Sequence, residues 1–558
     1  MKKITALCVA VLLLVGVLAG CGDNELPASS AGEDTTTTTA PSDTTDTTTD
    51  TSAMDGSTTD IFGTDPSDTI AGDDWWNDTT TEGDWWNDTT AGDDWWNDTT
   101  TEGDDWWNDT TTEDNAMNTT TTTQSASTTT GLAKPIVNID TDAVLAPFVN
   151  ATPKVKYVTS YDPIDPAWKN IKAITYDGAN IGSSKTKVFA YIGFPEGASA
   201  TNKVPAIVLV HGGGGHAFAE WVKIWNDRGY AAIAMDTTGF FPSEKGKGTA
   251  GKETDDVYTM WHYGLYGEFA EAGYTNAPNN DEMKSTANPV DQQWIYHSIA
   301  STMIAHNILQ ADSRVDGSKI GITGISWGGV ITSLAIGYDN DYAFAIPIYG
   351  SGYLNEGHGW MGPIFSEMNT KKTWSAADRF SRVDFPALWL CWAKDPPFSV
   401  NSNSKSYVAT KQGGSAFSAK VNWNHSHGSG WAPIESYLFA DSIVGKRAAL
   451  TKVTKEPTVT KNADGTYAVT MTIAPDTTAT KISARAAYIT DSLSYTSKDG
   501  GHPTMDQTWK AAECVVNANG TITCTLPKTA VDFYVLITTK NGTEKYDISS
   551  QLIQGINK

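Results

Sequence analysis

From residue 204 onward, short continuous apolar runs alternate with segments of helical periodicity. The apolar runs lie at 204–210, 230–235, 319–323, 343–348 and 386–390. Such runs are typical of strands that are covered on both faces. The helical patterns between them cover 218–228, 294–310 and 329–336. This alternation predicts an α/β fold with a mostly parallel central sheet and helices on both faces.

The pattern changes at both ends of this region. Segments 171–176 and 186–194 predict antiparallel strands at one edge of the sheet. After residue 450 the helical periodicity ends, and 467–473 and 533–537 alternate apolar and polar residues between Asn-Gly and Asp-Gly turns. Short alternating strands of this kind predict an all-β sandwich of immunoglobulin type. Since it carries no recognisable catalytic cluster, we expect it to serve packing or binding.

These patterns divide the 558 residues into four segments. Residues 1–20 are predicted to be an export signal and 21–132 an acidic linker. The α/β domain then covers 133–450, and the β-sandwich domain covers 451–558.

The N-terminus has the composition of a secretory signal. It begins Met1-Lys2-Lys3, continues with an apolar run to Leu18, and ends Ala19-Gly20-Cys21. This ending resembles the lipobox of bacterial lipoproteins, which implies cleavage before Cys21 and a lipid on that cysteine; the alternative is an ordinary signal with an incidental cysteine. No later run reaches 18 apolar residues. We therefore expect an extracytoplasmic protein that contacts the membrane through its N-terminal lipid only.

The linker holds most of the charge imbalance. The net charge is −26, and residues 22–130 contain 26 of the 65 acidic residues but no Lys or Arg. With almost no aliphatic side chains, this tract cannot offset its conformational entropy and is predicted to be disordered. Outside it, 39 acidic residues face 39 basic ones. Neither part has the cationic excess that binding to nucleic acid requires.

The linker also contains a short repeat, Trp-Trp-Asn-Asp-Thr. Its Trp pairs lie at 75–76, 85–86, 95–96 and 106–107. We favour a spacer that holds the folded part away from the membrane. The alternative is an adhesive element whose rings stack on sugars or on a surface partner.

The strongest chemical signal is Gly324-Ile325-Ser326-Trp327-Gly328, which follows an apolar strand and precedes a helical pattern. A G-x-S-x-G sequence in this context predicts a nucleophile elbow. Side chains at 324 and 328 are expected to collide with neighbouring backbone. The elbow presents the Ser326 hydroxyl at a helix N-terminus, where the helix dipole favours negative charge.

A second signal is the loop His211-Gly212-Gly213-Gly214-Gly215-His216, directly after the strand that ends at Val210. Such glycines allow backbone N–H groups to face a tetrahedral oxyanion. We predict Trp327 N–H as one donor and Gly213 N–H as the other, with Gly214 as the alternate. His211 is expected to brace the loop rather than act as the base.

In chains with this type of elbow, the acid and then the histidine follow the nucleophile, so both are expected after Ser326. Asp395 follows a buried apolar strand, where a catalytic acid belongs, although Asp before Pro also caps turns. His425 and His427 follow the next strand. We expect only one of the two rings to act as the base. His427 is narrowly favoured because it lies farther into the loop and a glycine follows it, and His425 is the alternative.

The remaining candidates are structural. Cys514 and Cys524 flank an alternating segment with a central Asn-Gly, which predicts a hairpin and a disulfide. Cys391 lies in an apolar run and is expected to be an inert thiol. The sequence has no His-Glu-x-x-His and no paired cysteines at zinc spacing, so we predict no metal and no cofactor.

Two long insertions, 239–293 and 350–382, are expected to form the rim of the site. Their aromatic residues either stack on sugars or form the packed core of a lid: Trp261, Tyr263, Tyr266, Trp360 and Trp374. His297 and His358 are expected to be structural or rim residues.

These motifs resemble the α/β-hydrolase superfamily, and within it acetyl xylan esterases and exported esterases similar to dienelactone hydrolase. The resemblance covers about 165–445 and is carried by 210–215, 228–236, 294–297, 322–329 and 425–433. It implies a serine esterase acting on acylated carbohydrate, with Ser326, Asp395 and one of the two histidines as its triad. The chain departs from the family at Ala393-Lys394, where a Gly is usual, and in its doubled histidine.

Two other functions remain open at this point. A serine peptidase of the prolyl-oligopeptidase kind shares the hydrolase half, but the sequence has no propeller repeats upstream. A noncatalytic surface protein that binds glycan through its Trp repeats and sandwich is the second alternative.

Overall fold

The computed structural model describes residues 140–243, 266–268, 272–278, 288–358, 361–366, 373–395, 397–425, 431, 433–493, 495–497, 503–505 and 508–558. The predicted signal, Cys21 and the linker lie outside these residues. Among the described residues, no helix combines the length and the apolar character needed to cross a membrane.

The first part of the described chain mixes helices and strands. The helices are α1 (Thr141–Val149), α2 (Ala219–Asp227), α3 (Trp294–Ala311), α4 (Trp327–Tyr338), α5 (Met361–Ser366), α6 (Val400–Ala409) and α7 (Ile434–Ile443). The strands are β1 (Val155–Tyr157), β2 (Ile171–Asp177), β3 (Lys185–Gly193), β4 (Val204–Val210), β5 (Ala231–Met235), β6 (Phe240–Pro242), β7 (Tyr266–Glu268), β8 (Tyr274–Thr275), β9 (Val315–Ile325), β10 (Phe344–Ile348), β11 (Leu388–Trp392) and β12 (Ala416–Lys420).

The central sheet has the order β1-β2-β3-β5-β4-β9-β10-β11-β12. In this order, the six strands β5, β4, β9, β10, β11 and β12 are parallel, whereas β1, β2 and β3 pair antiparallel. Every residue of β5 and of β10 is buried, as expected for strands covered on both faces. The predicted mostly parallel sheet with an antiparallel edge is confirmed. Because the carboxyl ends of the parallel strands lie at the same end of the sheet, the residues that follow β9, β11 and β12 meet there.

The rest of the chain is β-structure. Its strands are β13 (Lys452–Lys461), β14 (Tyr467–Ala474), β15 (Lys481–Ile489), β16 (Tyr495–Ser497), β17 (Pro503–Met505), β18 (Lys510–Val516), β19 (Thr521–Leu526), β20 (Asp532–Asn541) and β21 (Glu544–Ser549). Apart from the β16–β17 pair, they are antiparallel in the order β13-β14-β19-β18-β15-β20-β21. The all-β character is confirmed, and the immunoglobulin type stays a prediction.

The β-structure is joined to the central sheet rather than tethered to it. β21 pairs antiparallel with β12 through Phe417 and Ser549. The Ser549 hydroxyl also accepts a 3.0 Å hydrogen bond from the backbone N–H of Ala419. β21 therefore continues the central sheet beyond β12, the last of its parallel strands.

Helix α6 connects the two parts through buried polar side chains. The Ser404 hydroxyl accepts a 2.8 Å bond from the backbone N–H of Leu552, near the end of the chain. The hydroxyl of Ser406 accepts a 3.0 Å bond from the backbone N–H of Gly352. The hydroxyl of Ser399, the residue before the helix, accepts a 3.0 Å bond from the backbone N–H of His358. One helix thus holds the C-terminal tail and the segment that follows β10.

Candidate active site

Ser326 occupies a sharp turn between β9 and α4. Its backbone has φ 55° and ψ −123°, and its N–H donates a 2.9 Å bond to the carbonyl of Ile348 at the end of β10. A Cβ on Gly324 would lie 2.3 Å from the carbonyl oxygen of Gly328, and one on Gly328 would lie 2.0 Å from that of Val210. The predicted collisions at both glycines are confirmed. Ser326 itself is partly exposed.

A positive φ is uncommon for a residue with a side chain. Strained backbone of this kind persists where the surrounding structure enforces it, and it concentrates at functional sites. The strand–turn–helix context and the strain together match a nucleophile elbow.

Asp395 and His425 are directly bonded. Asp395 follows β11, His425 follows β12, and Nδ1 of His425 lies 2.9 Å from Oδ2 of the Asp395 carboxylate. The carboxylate is fully buried, and its other oxygen accepts a 2.9 Å bond from the backbone N–H of Phe398. Burial raises the pKa of Asp395, and the contacts with His425 and Phe398 oppose that rise. Asp395 therefore both caps a turn and orients an imidazole.

The other candidate base, His427, lies outside the described residues. The structure thus brings Asp395 to His425, the alternative that the sequence placed second. The His425 side chain is 10% exposed, so the ring remains accessible.

Two aromatic residues that the sequence analysis did not single out pack on His425. The Tyr349 ring stacks on the imidazole at 4.5 Å and 16°, and the Phe398 ring at 5.6 Å and 24°. Tyr349 directly follows Ile348, which accepts the bond from Ser326. No motif marks either residue; the available signals were that Tyr349 directly follows a predicted strand and that Phe398 lies three residues after Asp395.

The glycine loop after β4 is a tight turn. The Gly215 N–H donates a 3.1 Å bond to the Gly212 carbonyl, and Gly214 has φ +69°, a value that favours glycine. Gly213 and Gly214 are partly exposed. Trp327 is the first residue of α4, so its N–H has no acceptor within the helix. The role of these N–H groups as oxyanion donors stays a prediction.

His211 braces this loop. Its Nδ1 donates to the Gly212 carbonyl at 2.7 Å, and its Nε2 accepts a 2.9 Å bond from the backbone N–H of Thr237, which assigns a neutral ring. Burial lowers the pKa of His211 to about 4, against an opposing contribution from the Gly212 carbonyl. The prediction that His211 is a structural residue is confirmed.

The aromatic rim is only partly described. Trp374 is buried, and its Nε1 donates a 2.7 Å bond to Oε1 of Gln293, so it belongs to the packed core and offers no surface for a sugar. His297 is also buried, with Nε2 at 2.8 Å from the Asp291 carbonyl, as expected for a structural residue. His358 is exposed, and its backbone N–H donates a hydrogen bond to the hydroxyl of Ser399. Trp261, Tyr263, Trp360 and the side chain of Tyr266 lie outside the described residues.

Cys514 and Cys524 lie opposite each other in the β18–β19 register. Both are free cysteines, so the predicted disulfide is not formed in this structure. Cys391 is buried, and burial raises the pKa of its thiol well above the usual value, as expected for an inert side chain. Among the described residues, no group of His, Cys, Asp or Glu is arranged to hold a metal ion.

The comparisons with known proteins agree with the class of protein that this site indicates. Residues 188–427, which include Ser326, Asp395 and His425, match the model of the Dienelactone hydrolase family. The sheet order, the elbow and this match together define an α/β-type hydrolase domain.

Individual relatives are distant. Over 113 residues, the chain is 27% identical to the probable dipeptidyl-peptidase 5 of Aspergillus clavatus; the match covers 19% of this chain and spans only 15% of the relative's length. An acetyl xylan esterase from Paenibacillus sp. R4 is 17% identical, with 55% of this chain and 95% of that chain covered at a TM-score of 0.38. The acylaminoacyl peptidase of Pyrococcus horikoshii is 17% identical, with 47% and 38% covered at 0.32.

Proposed function

We propose that this protein is a serine carboxylesterase that removes acyl groups, acetyl first among them, from esterified carbohydrate. The observation that carries the proposal is the 2.9 Å bond between Asp395 and His425, which follow β11 and β12 at the carboxyl ends of the parallel strands, where Ser326 follows β9. The carbohydrate preference rests on the resemblance to acetyl xylan esterases.

In the proposed mechanism, the neutral His425 removes the proton of the Ser326 hydroxyl as its oxygen attacks the ester carbonyl carbon. The tetrahedral oxyanion is stabilised by the N–H of Trp327 and that of Gly213, with Gly214 as the alternate. The protonated His425 then gives its proton to the leaving sugar hydroxyl, and an acyl-enzyme on Ser326 remains. Water, deprotonated by His425, attacks this ester. As the second tetrahedral intermediate collapses, the acid is released and the proton on His425 passes to the Ser326 oxygen, which restores the serine.

Asp395 supports each step through His425. As the acceptor of the Nδ1 proton, it leaves Nε2 as the basic atom and stabilises the imidazolium that forms. His425 therefore replaces His427 as the proposed base.

A fluorophosphonate probe tests the nucleophile. We expect covalent labelling of the wild-type protein that Ser326→Ala abolishes, together with turnover of p-nitrophenyl acetate. Ser301→Ala, a buried serine in α3, is the matched control and should retain both. Absence of labelling and turnover in the folded wild type would favour the noncatalytic glycan-binding alternative, in which binding persists in Ser326→Ala.

The peptidase alternative is kept because of the local similarity to a probable dipeptidyl-peptidase. Parallel assays with acetylated xylan or acetylated sugars and with aminoacyl anilides separate the two. Acetate release without anilide cleavage supports the esterase, and the reverse result supports the peptidase.

We also propose export and lipid attachment at Cys21, with 21–132 as the linker. The motif Leu18-Ala19-Gly20-Cys21 supports this proposal. Mass spectrometry of the N-terminal peptide from membranes should find a diacylated Cys21; Cys21→Ser should release the protein from the membrane fraction.

A further inference from the structure

Tyr349 connects the backbone beside the nucleophile to the loop that carries His425. Its N–H donates a 2.9 Å bond to the Leu390 carbonyl in β11. Its hydroxyl donates a 2.6 Å bond to the carbonyl of Asn424, the residue directly before His425. Its ring is fully buried and stacks on the imidazole at 4.5 Å.

The backbone of Tyr349 is strained. Among the described residues, Ser326 (φ 55°) and Tyr349 (φ 58°) are the non-glycine residues with positive φ. The next residue, Gly350, packs so closely on α4 that a Cβ would lie 2.2 Å from the carbonyl carbon of Gly329. The turn after β10 therefore lies against the first turn of the helix that Ser326 begins. Such strain is retained where the conformation serves a site.

The contacts of Tyr349 restrict a motion that Asp395 alone leaves free. A single bond at Nδ1 fixes the direction of the imidazole but permits the ring to rotate about that bond. Because the Tyr349 ring is nearly parallel to the imidazole, such a rotation would drive the imidazole edge into it. The hydroxyl bond to Asn424 holds the backbone from which the imidazole projects.

We propose that Tyr349 is a positioning residue that fixes both the ring plane of His425 and the loop that carries it. The proposal rests on the proposed role of His425 as the base. Tyr349 acts through His425, by keeping Nε2 of the imidazole aligned with the Ser326 hydroxyl. Small misalignments of a catalytic group lower the rate of the chemical step without weakening substrate binding.

The test compares two tyrosines that each lose a buried hydroxyl bond. Tyr349→Phe keeps the ring and removes the bond to Asn424. Tyr176→Phe is the matched control, since the Tyr176 hydroxyl donates a 3.0 Å bond to the Ser301 carbonyl from a fully buried position in β2. We expect kcat for p-nitrophenyl acetate to fall about 10-fold in Tyr349→Phe with KM unchanged, and to stay at the wild-type value in Tyr176→Phe. Tyr349→Leu, which also loses the ring, should fall about 100-fold.

Equal kcat in wild type, Tyr349→Phe and Tyr349→Leu would overturn the proposal and leave Tyr349 a purely structural residue. A nuclear Overhauser contact between the ring protons of Tyr349 and His425 in the wild-type protein is also expected, and its absence would overturn the proposal without any variant. If the wild type neither hydrolyses esters nor reacts with fluorophosphonate, the proposed function fails, whereas the Overhauser contact still decides whether the two rings are held together.

Discussion

The imidazole of His425 and the carboxylate of Asp395 meet across two neighbouring parallel strands, 30 residues apart in the chain and 2.9 Å apart in space. The carboxylate is fully buried. A buried acceptor that is also held by a backbone N–H cannot turn away from the ring. Replacing Asp395 should therefore lower the catalytic rate, whereas replacing a buried aspartate that bonds a different histidine should lower only stability.

Asp395→Asn is expected to lower kcat by about 10³- to 10⁴-fold, because an amide no longer selects the productive imidazole tautomer. The matched control is Asp339→Asn, since Asp339 bonds Nδ1 of His306 at 2.7 Å with both side chains buried. That variant should lose thermal stability and retain kcat in the folded state. Equal losses of kcat in both variants would contradict the assignment of Asp395.

Unfolding is expected to depend on pH through buried histidines. Burial lowers the pKa of His211 and of His297 from 6.5 to about 4 in the folded protein. The unfolded state therefore binds more protons between pH 4 and 6.5, so the stabilising contribution is full above pH 6.5 and is lost as the pH falls towards 4. Asp236 opposes this trend: burial raises its pKa to about 7, so its contribution is lost as the pH rises from about 4 to 7.

His297→Asn isolates one of these groups. Denaturant titrations between pH 4 and 6.5 should show about one proton fewer taken up on unfolding than in the wild type. His358 provides a partial control: burial also lowers the pKa of its more exposed ring, but by less than in His297, so His358→Asn should leave the slope closer to that of the wild type. An unchanged slope in His297→Asn would contradict the burial of a neutral ring.

The C-terminal β-structure should be needed for the stability of the catalytic part. Ser404→Ala removes the acceptor of the Leu552 N–H and should lower the free energy of unfolding by about 1–3 kcal/mol. Ser318→Ala, which loses an exposed local bond to Asp316, should change it by less than about 0.5 kcal/mol. Calorimetry checks both variants. Removal of 451–558 should lower the Tm further, and a truncated chain with wild-type Tm and kcat would show that the two parts are independent.

Cys514 and Cys524 should form a disulfide under oxidising conditions. They lie opposite each other three register positions from the turn pair Asn517 and Thr521, which places them in a non-hydrogen-bonded pair, where side chains approach closely. Glutathione disulfide would accept the two electrons, with loss of two hydrogens from the intact mass. The bond closes a short loop and should raise stability by about 3 kcal/mol.

Cys514→Ser is the control for this oxidation and should show neither the mass change nor the gain in stability. Cys391 should stay reduced because it is fully buried. Two reactive thiols after exhaustive oxidation of the wild type would exclude the disulfide.

The parts predicted correctly from the sequence depend on local physics. The apolar runs at β4, β5 and β10 could be recognised because a strand covered on both faces needs an apolar side chain at nearly every position. The elbow could be recognised because Gly-x-Ser-x-Gly between a strand and a helix is a local pattern, and a Cβ on Gly324 would collide with Gly328, four residues further on.

Other elements lacked a sequence signal. Helix α6 has no apolar periodicity, because many of its buried positions are polar; the buried hydroxyls of Ser404 and Ser406 accept bonds from backbone N–H groups of distant segments. For Trp374 the sequence left a sugar platform and the packed core of a lid equally open. Its bond to Gln293 places it in the core, and its burial depends on the packing of separate insertions.

The amino-acid order alone determined the strand and helix alternation, the position of Ser326 and the acid after β11, since each follows from steric fit or from hydrophobic burial within a few consecutive residues. Tertiary structure decided which histidine meets Asp395, that Tyr349 stacks on it, and that β21 extends the central sheet. These relations join residues from 30 to more than 100 positions apart, and they arise from the order in which strands pair, which no local pattern of side chains specifies.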